Sequence, residues 1–457
     1  MKIGWASVDY NILRENDIRG SYPTQVNKDV AKRLGKAFGT YLHGKDIKEA
    51  IIGHDNRLSG EELHDALIEG LNETGIDVLD IGLATSPLYN FSSMQAKLPY
   101  GIIVTASHNK ATDNGFKIFG ENYLHLTQEE LSKVYDLIRG ENFVSGTGKV
   151  TEGSYQQEYI DMLIEKAKLD KRLKAVIDCG HGTASILVKD VFNNINVDAT
   201  YLYAESDGSF PARELDPNDP ANLTVLRDKM LEIGADVGIA FDGDCDRIGI
   251  LDENGDMVVT DILMAVFSAD IIPKTDKKNI IYDVKCSKAL EIELKRIGDN
   301  GMMKKNGSAY IENEIFNVDA QFGGEYSGHI YFRDDYYGFD DGVYAAIRVL
   351  ELLSRKDIKC SQTYAHLEKF YNTPEIRVNV SDDKKWGIIE KIKEYATHHN
   401  YDFSTIDGIR VNYEDGFSLI RCSNTGPNIT LRFEAGTKEA LEYRKREFLN
   451  LVEYLIK

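Results

Sequence analysis

A serine and a histidine directly follow a short apolar run near residue 105. Residues 102–104 are Ile-Ile-Val, the segment Thr-Ala-Ser-His-Asn follows them at residues 105–109, and an Asn-Gly turn comes next. Such polar side chains are common in turns, where they bond the neighbouring backbone. The carboxyl end of a strand is also where α/β folds present reactive groups. Ser107 is therefore a candidate nucleophile, of a serine hydrolase or of an enzyme that carries a phosphoserine. No Gly-x-Ser-x-Gly elbow surrounds it.

Three aspartates at two-residue spacing follow a second apolar run. Asp242, Asp244 and Asp246 would lie on one face of an extended chain. At ~4 Å and an effective dielectric of ~20, each pair of carboxylates would repel by ~4 kcal/mol. A hard divalent cation removes that cost, and oxygen ligands favour magnesium or calcium over zinc. The spacing therefore predicts a metal site.

Two other interpretations of the aspartate segment remain open. In an EF-hand, Glu253 would take the twelfth position, but Arg247 takes the sixth, where glycine is needed, and a strand precedes the loop. A solvated acidic turn is the second. Three protein oxygens leave a magnesium octahedron incomplete, and a phosphate on Ser107 would help to complete it.

The elements that must position these residues alternate between strand and helix. Residues 49–71, 174–192 and 279–298 each open with an apolar strand and continue into an amphipathic helix. This pattern predicts three α/β domains with largely parallel sheets. The last ~90 residues alternate apolar and polar positions, as in antiparallel strands, and end in a helix. We predict domains at residues 1–150, 151–252, 253–368 and 369–457, with a linker at residues 144–153.

The overall composition and charge of the chain argue against several classes of function. A formal charge of −20 over 457 residues argues against a nucleic-acid or anionic-membrane binder, because the cations that neutralise phosphates are missing. Five scattered cysteines without a Cys-x-x-Cys pair favour a reducing compartment. We find neither a signal peptide nor an apolar run of ~18 residues. The sequence predicts a cytoplasmic protein, a monomer or a small homo-oligomer.

Four motifs in order resemble those of the α-D-phosphohexomutases, with the bacterial phosphomannomutase/phosphoglucomutase branch most similar. They are TASHN at residues 105–109, DGDCDR at 242–247, GEYSGH at 324–329 and RCSNT at 421–425. The resemblance extends from DIRG at residues 17–20 to RFEA at 432–435. It implies three related mixed-sheet α/β domains and a C-terminal α+β domain with an antiparallel sheet, arranged around a central cleft.

The resemblance also implies a reaction and a set of site residues. Phosphate would move between the 1- and 6-positions of a hexose through a phosphoserine and a bisphosphorylated sugar, with one Mg²⁺ per site and a hexose 1,6-bisphosphate primer. The implied metal ligands are Asp242, Asp244, Asp246 and the phosphate on Ser107. The candidate catalytic residues are Ser107, His108, Lys117, Arg247 and His329. The candidate substrate-binding residues are Arg19, Lys285, Glu325, Ser327, His329, Arg421, Ser423, Asn424 and Thr425.

The chain departs from the family pattern at several positions. Lys110 stands where proline is usual, and Asn16 where tyrosine is usual. Asn306, Gly307 and Ser308 occupy a Thr-Gly-His motif, and Glu312 the place of its lysine. The missing histidine normally faces the substrate, so the preferred sugar stays open. A phosphosugar phosphatase, a phosphoglucosamine-type mutase and a catalytically impaired sugar-phosphate binder are the alternatives.

Overall fold

The structure is a computed structural model that describes residues 9–423 and 426–456. Two compact units divide these residues. The first contains the described residues up to Val258, together with Gly328–Ile330 and Phe339–Ser361. The second contains Val259–Ser327, Tyr331–Gly338 and the described residues from Gln362 onward. Short 3-10 helices lie at Tyr10–Ile12, Glu121–Tyr123, Thr183–Ile186, Pro220–Leu223 and Ile272–Lys274.

The first sheet of the first unit has six strands in the order β1-β5-β4-β2-β3-β6. The strands are β1 (Ile18–Ser21), β2 (Glu49–His54), β3 (Asp77–Leu83), β4 (Gly101–Val104), β5 (Asp113–Phe119) and β6 (Val150–Glu152). The accompanying helices are α1 (Lys28–Gly44), α2 (Gly60–Asn72), α3 (Ser86–Ala96) and α4 (Gln128–Gly140). The sheet is mixed, because β2 runs parallel to β3 and β4 whereas β5 runs antiparallel to β1 and β4.

The second sheet of this unit has the order β11-β10-β9-β7-β8. Its strands are β7 (Leu173–Asp178), β8 (Val197–Leu202), β9 (Val237–Phe241), β10 (Ile248–Leu251) and β11 (Met257–Val258). Helices α5 (Gln156–Lys166), α6 (Val188–Phe192) and α7 (Thr224–Ile233) accompany it. β9 runs parallel to β7 and antiparallel to β10. Both β4 and β9 are buried along their whole length, as their apolar sequences require.

The second unit contains the third sheet, in the order β13-β12-β14-β15. Its strands are β12 (Ile281–Asp283), β13 (Met302–Lys304), β14 (Phe322–Gly324) and β15 (Ile330–Phe332). The helices of this part of the chain are α8 (Thr260–Ile271), α9 (Lys288–Arg296), α10 (Ser308–Asn317), α11 (Gly342–Lys356) and α12 (Cys360–Thr363). Of these, α11 belongs to the first unit. β12 is parallel to both of its neighbours.

The C-terminal sheet is antiparallel in all its described pairings. Its strands are β16 (Tyr371–Asn372), β17 (Ile376–Asn379), β18 (Phe403–Ser404), β19 (Ile409–Tyr413), β20 (Gly416–Cys422) and β21 (Asn428–Ala435). Helices α13 (Asp382–His398) and α14 (Lys438–Ile456) share one apolar core with these strands.

The predicted fold class is confirmed: mixed α/β sheets are followed by a C-terminal domain with an antiparallel sheet. The linker prediction is wrong in part, because residues 150–152 form β6 and pair in parallel with β3. The domain boundaries and the central cleft stay predictions. Among the described residues, every helix is too short or too polar to cross a membrane.

Candidate active site

The serine loop begins where β4 ends, at the carboxyl edge of the first sheet. β2 is the parallel neighbour of β4, and residues 55–57 leave it at the same edge. Thr105 lies at the base of the loop, and its hydroxyl oxygen accepts a 2.9 Å hydrogen bond from the backbone N–H of Ser107. Ser107 has φ +52°, in the left-handed region that ordinary residues seldom occupy. The loop therefore holds a strained backbone at the candidate nucleophile.

Arg57 ties this loop together. An arginine side chain has five N–H donors, and those of Arg57 all have acceptors here. They donate to the carboxylate of Asp55 (3.1 Å) and to the carbonyl oxygens of Ser107 (2.7 Å), Asn109 (2.8 Å), Lys110 (2.6 Å) and Asp113 (3.0 Å). The Arg57 side chain is fully buried. The sequence analysis did not identify it.

The Ser107 hydroxyl reaches the aspartate loop of the second sheet. Its oxygen lies 3.0 Å from Asp242 Oδ2 and 3.3 Å from His108 Nδ1. The two loops approach so closely that a Cβ at Gly243 would lie 2.4 Å from the Ser107 carbonyl oxygen. Only glycine fits there without movement. The serine loop and the aspartate loop, which the sequence predicts as site segments, are thus in direct contact within the first unit.

The aspartate loop connects β9 to β10, and all three carboxylates are at most 2% exposed. The prediction that their spacing reflects an extended chain is wrong. β9 ends at Phe241, and Cys245 has φ +67°, so residues 242–247 form a turn. The carboxylates converge because the turn folds them toward one point, where one oxygen of each lies within 4.8 Å of the others.

Lys117, on β5, is the main counter-charge to this cluster. Its Nζ lies 2.6 Å from Asp244 Oδ2 and also contacts Asp246 Oδ2. Burial alone would lower the pKa of Lys117, but these two carboxylates outweigh burial and raise that pKa well above its usual value. Lys117 is therefore held as a cation. Ser86, at the start of α3, adds a 2.6 Å hydrogen bond to Asp244 Oδ2.

The three aspartates differ in their electrostatics. Burial and the other two carboxylates raise the pKa of Asp242 well above its usual value. Burial and Asp246 act in the same direction on Asp244, yet Lys117 holds the pKa of Asp244 below its usual value. Lys117 and His329 also lower the pKa of Asp246 against its burial. Asp244 and Asp246 are thus held as carboxylates, whereas burial favours the protonated form of Asp242.

These residues fit a hard divalent cation. Asp244 Oδ1 and Asp246 Oδ1 are fully buried, and neither accepts a hydrogen bond from any residue that the structure describes. Leaving buried carboxylate oxygens unsatisfied is costly unless a ligand compensates. Three carboxylates without sulfur or nitrogen ligands match the preference of Mg²⁺. The site can therefore hold a metal ion.

His329 and Arg247 lie beside the cluster. Arg247 Nε donates to His329 Nε2 at 2.9 Å, and His329 Nδ1 lies 2.6 Å from Asp340 Oδ2. Because Nε2 accepts from Arg247, Nδ1 carries the ring proton that faces Asp340. His329 Nδ1 is also 3.7 Å from Asp246 Oδ1. Asp340, which the sequence analysis did not identify, thus orients the ring.

Two further predicted residues flank the serine loop. Arg19, on β1, pairs with Asp17 at 2.7 Å, and its Nη1 lies 3.2 Å from Asn109 Oδ1. His108 is half-buried, and desolvation, together with Arg247 and Arg19, holds its pKa well below the usual value. The structure therefore brings Ser107, His108, Lys117, Arg247, His329, Arg19 and the three aspartates together in the first unit.

The second unit contains the other predicted substrate-binding residues that the structure describes. Glu325, directly after β14, is buried and receives the backbone N–H of Gly307 at 2.8 Å. Residues 325–329 connect β14 to β15 as a loop, which carries Glu325, Ser327 and His329. Lys285 is buried, 3.4 Å from Glu375 and 3.8 Å from Asp283.

Lys285 and Arg421 are the cations of this second group. Burial alone would lower the pKa of Lys285, but Glu375, Asp283 and Glu325 raise it overall. Arg421, on β20, is buried and donates to Asp407 at 2.8 Å. Lys385, on α13, donates to the carbonyl of Ser423 at 2.8 Å. Asn424 and Thr425 lie outside the described residues.

The structure also locates the residues that depart from the family pattern. Ser308 begins α10, and Glu312 is fully buried within that helix. Lys110 is exposed, and its carbonyl oxygen is one of the Arg57 acceptors. Asn16 lies in the bend that precedes β1. The segment Asn306–Gly307–Ser308 itself contains no histidine.

The architecture and the buried serine–carboxylate cluster define an enzyme suited to metal-assisted phosphoryl transfer. Family models described as phosphoglucomutase/phosphomannomutase α/β/α domains I, II and III match residues 11–145, 157–255 and 259–370. The model for the C-terminal domain of the same family matches residues 375–451. The chain belongs to the phosphoglucomutase/phosphomannomutase family. The predicted resemblance is confirmed, and with it the interpretation as a mutase-type phosphotransferase.

Individual proteins of this family are similar to the chain over nearly its whole length. It is 36% identical to a phosphomannomutase/phosphoglucomutase of Pseudomonas syringae pv. tomato, with 94% of this chain and 92% of the relative covered. It is 33% identical to a phosphoglucomutase of Neisseria gonorrhoeae, with 98% of each covered. A crystal structure of a family protein from Burkholderia thailandensis is similar at 32% identity, with a TM-score of 0.91 and 98% of each chain covered.

Proposed function

We propose that the protein is a phosphohexomutase that interconverts hexose 1-phosphate and hexose 6-phosphate, with mannose and glucose phosphates as substrates. The observation that carries the proposal is the 3.0 Å contact between the Ser107 hydroxyl and Asp242, beside the cluster of buried carboxylates. The similar proteins described above, a phosphomannomutase/phosphoglucomutase and a phosphoglucomutase, support the choice of substrate class.

The proposed resident ion is Mg²⁺, held by Asp242, Asp244, Asp246 and the phosphate on Ser107. When bound, it opposes negative charge on the oxygens of the transferring phosphoryl group. The protein's own groups perform the rest of the chemistry. Lys117, fixed between Asp244 and Asp246, adds positive charge close to Ser107.

Transfer to the sugar forms a bond between the hydroxyl oxygen and phosphorus and breaks the bond from phosphorus to Ser107 Oγ. The bisphosphorylated sugar then turns around and returns its other phosphate to Ser107. His329 is our candidate for accepting the proton of the attacking hydroxyl at Nε2, because Asp340 holds its Nδ1. In this structure Nε2 accepts a hydrogen bond from Arg247 Nε, so the role requires Arg247 to release Nε2 when the substrate binds. The catalytic roles of Lys117 and His108 stay predictions.

We assign substrate binding to two groups of residues. Arg19 and Arg247 would grip phosphate oxygens near Ser107, since a guanidinium group forms paired hydrogen bonds with phosphate. Glu325 and Ser327 would bind adjacent sugar hydroxyls. Lys285, Arg421, Ser423, Asn424 and Thr425 would bind the phosphate that is not reacting. We also propose a cytoplasmic location, which the five buried free cysteines support.

The test is ³¹P NMR of mannose, glucose, glucosamine and N-acetylglucosamine 1-phosphates with protein, Mg²⁺ and a bisphosphate primer. We expect the 6-phosphates of mannose and glucose to appear, and peptide mass spectrometry to find phosphate on Ser107. The Ser107→Ala variant should lose both. Inorganic phosphate without isomerisation would indicate a phosphatase. A preference for glucosamine phosphate would indicate the phosphoglucosamine-type mutase. Binding without turnover would indicate an impaired binder, and full activity of Ser107→Ala would exclude the mechanism.

A further inference from the structure

In the second unit, the guanidinium group of Arg421 has a buried nitrogen that lacks an acceptor among the described residues. Its side chain is 6% exposed, and Nε donates to Asp407 Oδ2 at 2.8 Å. Nη2 is fully buried and has no hydrogen-bond partner within residues 9–423 and 426–456. A buried N–H of a charged group costs free energy when it lacks an acceptor. The group is therefore arranged for an anion, which agrees with its proposed role in binding phosphate.

Asp407 connects Arg421 to a second segment. The same oxygen, Oδ2, lies 3.3 Å from the backbone nitrogen of Asn306, which donates to it. The next residue, Gly307, donates its N–H to Glu325 Oε1 at 2.8 Å. One series of contacts thus runs from the proposed phosphate-binding arginine to the proposed sugar-binding glutamate. It passes through the segment where the family's histidine is missing.

The backbone holds Asp407 firmly in place. Gly408 follows it with φ +68°, and a Cβ there would lie 2.3 Å from the carbonyl oxygen of Ile420. This close approach sets the Asp407 backbone directly beside the strand that carries Arg421. Asp407 is itself only 7% exposed. A buried carboxylate on a tightly packed backbone can fix the direction of a guanidinium group.

We propose that Asp407 is a positioning residue for substrate recognition. It holds the Nε edge of Arg421 so that Nη2 remains available to the non-reacting phosphate. Through Asn306 and Gly307 it also aligns the Glu325 carboxylate with the sugar hydroxyls. The proposal rests on the proposed function and adds the residue that couples recognition of the phosphate to recognition of the sugar.

The competing interpretation is an ion pair that serves folding alone. The same domain offers a control, because Asp415, although more exposed than Asp407, also pairs with a buried arginine, Arg444. Its other hydrogen bond, from the backbone N–H of Gly436, also involves no proposed site residue. The variants are Asp407→Ala, Asp407→Asn and Asp415→Asn, each in the full chain. Asp407→Asn keeps an acceptor oxygen and removes the charge, so it is the conservative variant that should fold if Asp407→Ala does not.

The experiment is calorimetric binding of glucose 6-phosphate, inorganic phosphate and glucose, together with kcat, KM and thermal unfolding. We expect Asp407→Ala to weaken binding of glucose 6-phosphate by about 10- to 100-fold, the range for losing a hydrogen bond to a charged group. Asp407→Asn should weaken it less. Both should act mainly on KM and should leave phosphorylation of Ser107 intact. Asp415→Asn should lower the unfolding temperature without changing KM.

The outcomes separate the two proposals. Wild-type protein that turns over no hexose phosphate refutes the proposed function. Wild-type turnover with unchanged KM in the folded Asp407 variants refutes only the role of Asp407. An equal loss of binding in Asp415→Asn also refutes it, because the effect would then follow general destabilisation. Weaker binding of inorganic phosphate and glucose 6-phosphate alike in the Asp407 variants supports the assigned role.

Discussion

Replacing Arg57 by lysine tests whether the serine loop depends on one side chain. Arg57 donates to four carbonyl oxygens between Ser107 and Asp113 and to the carboxylate of Asp55. Lysine keeps the positive charge but has only three donors. At least two of the five hydrogen bonds are therefore lost in Arg57→Lys. The remaining donors radiate from one nitrogen and cannot reproduce the planar fork.

The magnitude follows from the acceptors left behind. Each buried acceptor without a donor costs about 1–3 kcal/mol, so two cost about 2–6 kcal/mol. A domain has only about 5–15 kcal/mol of stability in total, so Arg57→Ala would leave too many acceptors unmet to fold reliably. For the lysine variant we expect a lower unfolding temperature and a displaced Ser107. A displacement of about 1 Å can lower turnover about 100-fold.

The assay compares Arg57→Lys with Arg33→Lys. Arg33 is a buried arginine of the same sheet domain, on α1, and it pairs with Glu141. Both variants should lose stability, whereas only Arg57→Lys should lose turnover of glucose 1-phosphate and phosphorylation of Ser107. KM should change little, because Arg57 is fully buried beneath the loop. Unchanged turnover in a folded Arg57→Lys protein would refute the assignment.

Two further predictions concern the groups around Ser107. Chelation with EDTA should abolish turnover, and added Mg²⁺ should restore it. The Asp244→Asn variant should need a higher Mg²⁺ concentration for turnover, since it lacks one of the carboxylates. Turnover that is indifferent to EDTA would count against the metal site. Asp340→Asn should lower kcat by about 100-fold or more with little change in KM, because general acid–base catalysis contributes about 10²- to 10⁴-fold and the carboxylate that orients His329 would be lost. An unchanged kcat would remove His329 from proton transfer.

The sequence predicts the serine and aspartate loops because each sits within one short motif after an apolar strand. It does not predict how the aspartates converge, since residues 242–247 form a turn with Cys245 at positive φ. Arg57 was missed because its role depends on four carbonyl directions that only the folded loop defines. One signal was available: residues 55–57 follow β2, the parallel neighbour of β4, so both loops leave the same sheet edge.

Lys117, Asp340 and Asp407 show a second limit. Lys117 lies 127 residues from Asp244, and Asp340 lies 11 residues from His329, so spacing alone does not pair them. Asp407 occurs in an Asp-Gly pair that reads as an ordinary turn before a strand. Its contact with Arg421 depends on the close approach of Gly408 to β20. Partners of this kind follow from packing, which a single sequence does not specify.

The local charge explains how a protein of net charge −20 can select a phosphorylated substrate. In the first unit, two cations, Lys117 and Arg247, face three buried carboxylates, so the fully ionised cluster would carry one excess negative charge. A divalent ion would make the charge of the site positive, and a phosphoserine of charge about −1.5 to −2 would then be attracted to it. Metal and phosphate should therefore stabilise one another at Ser107, so Mg²⁺ should bind more tightly to the phosphorylated protein than to Ser107→Ala.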